Sequence, residues 1–112
     1  MADEAEEDIL FDEEEIRDTN THYSDIGDCR GFKSKTVLIY NDLDQTVTLQ
    51  MQGSRDRDFN RPINISSSFT VPANSTSYQT CTDYFPFGRI TAKCDTAPTT
   101  GSLTVVVVKD VV

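Results

Sequence analysis

The sequence has 112 residues and a mass of 12.5 kDa, the size of one domain with little room for a second. Apolar residues make up 37% of it, and no apolar run approaches the ~20 residues of a membrane span, which argues against a transmembrane helix. The formal net charge is −9 but unevenly spread: residues 1–29 hold 12 of the 19 acids against one base, Arg17, whereas residues 30–112 hold nine bases, seven acids and no Glu. The chain therefore reads as a near-neutral body with an acidic arm. Such a body lacks the basic patch that nucleic acid needs, and the arm would repel phosphates, so no nucleic-acid partner is expected. No basic stretch followed by an apolar core opens the chain, so an ordinary secretory signal is not expected.

The arm is assigned to residues 1–28. Residues 2–18 contain no Gly or Pro, yet like charges recur four apart, as in Asp3 and Glu7 or Glu4 and Asp8, which disfavours an isolated helix. Alone, the segment is expected to be disordered. It also carries Ile9, Leu10, Phe11 and Ile16, which a solvating tail does not need. The segment is either a solubilising tail or, as those four residues suggest, a docking arm, ordered in apolar pockets of a neighbouring subunit with its acids facing Lys or Arg.

The body, residues 29–112, switches to a period of two. Residues 36–41 (TVLIYN) are β-branched and apolar, and a polar turn follows at 41–45. Residues 46–52 then alternate, with Val47, Leu49 and Met51 on one face, and the two segments are predicted to form a hairpin. A charged loop spans 53–62. A strand with Phe69 and Val71 inward follows within 63–72, and Pro72-Ala73-Asn74 turns into an edge-like Thr/Ser/Tyr strand at 75–83. Tyr84–Gly88 forms an aromatic corner, Ile90, Ala92 and Cys94 face inward from the next strand, and 97–101 turns again. The last strand contains Val105-Val106-Val107-Val108, apolar on both faces. It is either a central strand covered on both sides or, with Val111 and Val112, has one face buried in an oligomer or against the arm, and Val106 and Val108 are the candidate interface positions. The predicted fold is all-β: a single small β-sandwich, Ig-like or jelly-roll-like, of six to eight short strands. Its predicted core holds Val37, Ile39, Val47, Leu49, Met51, Phe69, Val71, Ile90, Ala92, Val105 and Val107.

Catalytic material is sparse. The three cysteines, Cys29, Cys81 and Cys94, show no CxxC spacing, so zinc is not expected. They read as buried free thiols, with a Cys81–Cys94 bond as the alternative if Phe87-Gly88 turned a hairpin. His22 is the single imidazole and has no partner at motif spacing. Asp56-Arg57-Asp58-Phe59-Asn60 begins like a calcium loop but has Arg61 at its sixth position and Ser67 at its twelfth. No cofactor or metal is expected, and the chain is not expected to be an enzyme.

Three segments carry a resemblance: TVLIYNDLDQTVTLQMQGSRD (36–56), SFTVPANSTSYQT (68–80) and AKCDTAPTTGSLTVVVV (92–108). They resemble small all-β virion proteins of tailed double-stranded-DNA viruses, which decorate a capsid or serve a tail. The resemblance leaves out the arm. It implies a non-enzymatic structural or accessory role in a virus particle, located in the virion and assembled in the host cytoplasm. The implied partners are other copies, as a homo-oligomer, and major capsid or tail proteins. Ile9, Leu10, Phe11, Ile16, Val106 and Val108 are the candidate partner-binding residues. A competing reading is a glycan- or receptor-binding β-module with Tyr78, Tyr84, Phe85 and Phe87 as an aromatic platform. A third is an acidic mimic of nucleic acid.

Overall fold

The structure, a computed structural model, describes residues 5–30, 32–83 and 85–111, with backbone alone at 5, 6, 33, 66, 110 and 111. Nine strands lie among them: β1 (Ala5–Glu14), β2 (His22–Tyr23), β3 (Gly27–Asp28), β4 (Phe32–Asn41), β5 (Val47–Ser54), β6 (Ile63–Val71), β7 (Ser75–Cys81), β8 (Phe87–Lys93) and β9 (Leu103–Val111). They form two antiparallel sheets, one ordered β1-β9-β4-β7 and the other β2-β8-β5-β6, with β3 also on β8. The fold is all-β, and the described residues contain no helix.

Strands β4–β9 come from the predicted body, and the residues at which they alternate are those anticipated. Ten of the eleven predicted core residues are buried, and Phe69 is half-buried against them. The three further strands come from the segment read as an arm. Its first four residues lie outside the described residues. From Ala5 to Glu14 the segment pairs with β9, in a register running from Ala5↔Asp110 to Glu14↔Leu103.

This corrects the destination of the arm's apolar group. Strict alternation would send only one of Leu10 and Phe11 inward. The register passes from Ile9↔Val106 to Phe11↔Val105, so one extra residue is inserted, and this β-bulge turns both side chains into the core. Ile16 follows them and is fully buried. Leu10, Phe11 and Ile16 thus fill pockets of their own sandwich, not a neighbour's. Burying each contributes roughly 1.5–3 kcal/mol, and the ladder to β9 satisfies the strand's backbone groups.

The predicted hairpin of 36–41 and 46–52 also gives way. β4 pairs with β7 and β9, whereas β5 pairs with β6 and β8, so residues 42–46 cross from one sheet to the other. Asn41, fully buried, organises the crossing. Its Nδ2 donates to the carbonyls of Gln45, Val71 and Pro72, and its Oδ1 accepts the Leu43 N–H. Leu43, read as part of a polar turn, is fully buried and plugs this end of the core. Gly101 (φ +89°) seals the same end: a Cβ there would collide with the Asp42 carbonyl oxygen.

The three thiols are free and buried. Cys81 closes β7 opposite Lys35, whereas Cys94 follows Lys93, opposite Thr48, at the other end of the other sheet. The Phe87-Gly88 hairpin needed for a Cys81–Cys94 bond is absent because the aromatic corner carries the chain between sheets. Burial pushes the Cys29 and Cys94 thiols up from their ordinary values.

Two outcomes follow from these contacts. Phe11→Ala is expected to destabilise the isolated domain by about 3–5 kcal/mol in urea unfolding, as a core aromatic does and a tail residue does not. The Asp44 carboxyl accepts the hydroxyl and the N–H of Thr99, which hold it below the usual carboxylate range. A carboxyl lowered in the folded state stabilises above its unfolded value of about 3.9 and loses that contribution as pH falls through the folded value. Asp44→Asn is therefore expected to lower stability at neutral pH and to flatten its decline below about pH 4, measured by urea midpoints across pH.

Candidate interaction surface

The alternation that turns Val105 and Val107 into the core turns Val106 and Val108 to the outer face of β9. The same alternation in β4 buries Val37 and Ile39 and turns out Leu38 and Tyr40. Register then aligns them. Ile9, Val106, Leu38 and Tyr78 sit side by side across β1, β9, β4 and β7, a continuous apolar row over the whole width of the sheet. On one side of it lies Glu7–Val108–Thr36–Thr80, and on the other Thr104–Tyr40–Thr76. Ile9 is 53%, Tyr40 41% and Tyr78 66% exposed, and Leu38, Val106 and Val108 are half-buried. An apolar centre with a rim of hydroxyls is the anatomy of a protein interface.

Of the six candidate partner-binding residues, Ile9, Val106 and Val108 come together on this face. Leu10, Phe11 and Ile16 do not, for the reason given above. Sequence reading missed Leu38 and Tyr40, although TVLIYN is apolar on both faces in the same way as the valine run. Tyr78 belongs to this surface and not to an aromatic platform. Phe87 is buried beneath the Arg30 and Arg57 guanidiniums, at 5.1 and 4.9 Å from its ring centre. Phe85 is half-buried over Gly53 and Gly88, and Tyr84 lies outside the described residues. The platform is therefore not assembled.

Behind the surface, the inner face carries two buried lysines in direct cross-strand register, Lys35 and Lys109. Like charges so placed repel. The structure turns them apart. The Lys109 ammonium lies 2.6 Å from the Asp8 carboxylate and donates to the Asp28 carbonyl, over the Phe32 ring. The Lys35 ammonium donates to the Asp83 carbonyl, over the Phe85 ring. Asp8 is thus one arm acid that does face a lysine, but within its own chain.

The other residues of candidate chemistry are held in local structure. His22 Nε2 lies 2.8 Å from Asp18 Oδ1. Asp56 accepts from the Ser54 hydroxyl and from the Asn60 N–H and Nδ2, closing the loop that began like a calcium site. The described residues contain no cluster of potential metal ligands.

No protein-family model and no curated protein matches the chain in sequence. Among solved structures it is similar to the phage PBSX exported protein XepA, with a TM-score of 0.70 and 15% identity over 94% of this chain and 36% of that one. It is also similar to PirA, with a TM-score of 0.54 and 15% identity over 98% of this chain and 95% of that one. The chain thus spans about a third of the length of XepA, and at this identity the likeness is one of fold.

Asp8→Ala leaves the Lys109 ammonium buried without a counter-charge. It is expected to cost about 3 kcal/mol, the low end for a broken buried pair because Asp8 is itself 35% exposed. The double variant Asp8→Ala, Lys109→Met is expected to recover most of that loss in thermal unfolding.

Proposed function

We propose that the chain is a non-enzymatic structural or accessory component of a virus particle, a capsid-decoration or tail protein, that assembles through the outer face of its β1-β9-β4-β7 sheet. The observation that carries this reading is the apolar row Ile9–Val106–Leu38–Tyr78, which a sheet facing only water does not need. The fold likeness to a phage exported protein supports it, as does the resemblance of the three segments to small virion proteins. Its partners on this reading are further copies of itself and major capsid or tail proteins, and its place is the virion, assembled in the host cytoplasm.

Exposed Tyr40 and Tyr78, ringed by Thr36, Thr76, Thr80 and Thr104, also favour a second reading, in which the same face holds a glycan. One experiment separates the two. Under assembly, Val106→Asp or Tyr78→Ser is expected to weaken self-association at least tenfold, about 1.4 kcal/mol, in sedimentation equilibrium, with unchanged far-UV circular dichroism. A wild-type chain that stays monomeric at every concentration and binds a saccharide through Tyr78 would replace the assembly reading with the glycan one.

A further inference from the structure

The connections between strands divide between two ends of the sandwich. At one end lie 12–21, 42–46, 72–74 and 94–102, and at the other 29–30, 55–62, 82–83 and 85–86. The first end carries Asp12, Glu13, Glu14, Glu15, Asp18, Asp42, Asp44 and Asp95 against two bases, Arg17 and Lys93. The second gathers five of the six arginines, Arg30, Arg55, Arg57, Arg61 and Arg89, with Asp28, Asp56, Asp58 and Asp83. The ten residues of β4 separate the two ends by about 30 Å, three Debye lengths at 0.1 M salt, so one end cannot neutralise the other within a molecule.

The charges left over at each end are complementary. Asp12, Glu13, Glu14 and Glu15 are exposed with no cationic partner among the described residues, and Arg55 and Arg61 are exposed with no carboxylate partner among them. At the arginine end there is also an open cleft of about 230 Å³, walled by Gly53, Ile63, Phe85 and Pro86, with Arg55 on it and Ile63 65% exposed. The acidic end presents Pro72 and Ala97 exposed among its carboxylates, small apolar groups suited to such a cleft.

We infer that copies of this chain stack head to tail, the acidic end of one seated on the arginine end of the next, over the cleft beside Arg55. Such a contact joins two different surfaces, so it repeats from copy to copy and generates a ring where its rotation closes and a filament where it does not. It uses neither Ile9 nor Val106 and is therefore independent of the lateral sheet face. It rests on the reading of the chain as an assembling component and adds an axial direction to it.

The test uses the full chain carrying Val106→Asp, so that lateral association is removed. At about 0.05 M salt this chain is expected to associate in sedimentation velocity, and at about 0.5 M to do so at least tenfold more weakly. Arg55→Glu with Arg61→Glu, and separately Glu14→Lys with Glu15→Lys, are each expected to be monomeric at low salt with native circular dichroism. An equimolar mixture of the two is expected to regain the lost mass, because each then offers the charge that the other lacks. A chain that is monomeric at low salt, reversals without effect, or a mixture that stays monomeric would overturn the stacking. Retained lateral association in the Val106→Asp chain at high salt would instead count against the sheet-face reading alone.

Discussion

Much of the molecule follows from the way β9 must alternate. Four consecutive valines followed by lysine put Val105, Val107 and Lys109 on one face and Val106 and Val108 on the other, and no rotation of the strand can bury all five. The inner face takes two valines into the core and with them a lysine, which demands a counter-charge inside the sandwich. β1 supplies it as Asp8, and β1 can do so because β9 still has a free edge beside it. The outer face takes the other two valines, and its neighbours Leu38 and Ile9 extend them into a row.

The acidic segment thus has two jobs that its composition hides. Its first half completes a sheet, matching one carboxylate to a buried ammonium and two large side chains to the core. Its second half keeps its charge in water and, with Asp42, Asp44 and Asp95, gives one end of the sandwich a large excess of negative charge. The arginine loop opposite is held in shape by its own contacts. Arg57 and Arg30 lie over Phe87, Arg89 lies between Tyr23 and Phe59, and Asp28 is held well below the usual carboxylate range by Arg30.

The body's strands were legible because Val47, Leu49 and Met51, or Ile90 and Ala92, repeat every second residue and little else competes. Pairing was not legible. Alternation says which face a residue occupies but not which sheet its strand joins, and residues 42–46 are as short as a hairpin loop. The signal that they cross over was Leu43, an apolar residue amid acids, together with an Asn able to satisfy several backbone groups at once. The arm was misread because like charges at helical spacing argue against a helix and say nothing against a strand, where Glu7 and Ile9 share a face and Asp8 takes the other. The bulge that buries Leu10 and Phe11 together leaves no mark in a period-two pattern. Of the interaction surface, the valines were legible and Tyr78 was not, since its place in the row depends on two successive registers.

The pairing of β1 with β9 joins the two ends of the chain. Ala5 lies opposite Asp110, so the ladder closes a loop of nearly the whole chain, an entropic cost that the contacts of β1 must offset. Without β1, β9 would present an open edge and Lys109 would lack its carboxylate. A chain with β1 displaced would thus have the most to gain from a strand donated by another molecule, and the bulge at Leu10 fixes the one register that such a strand must match.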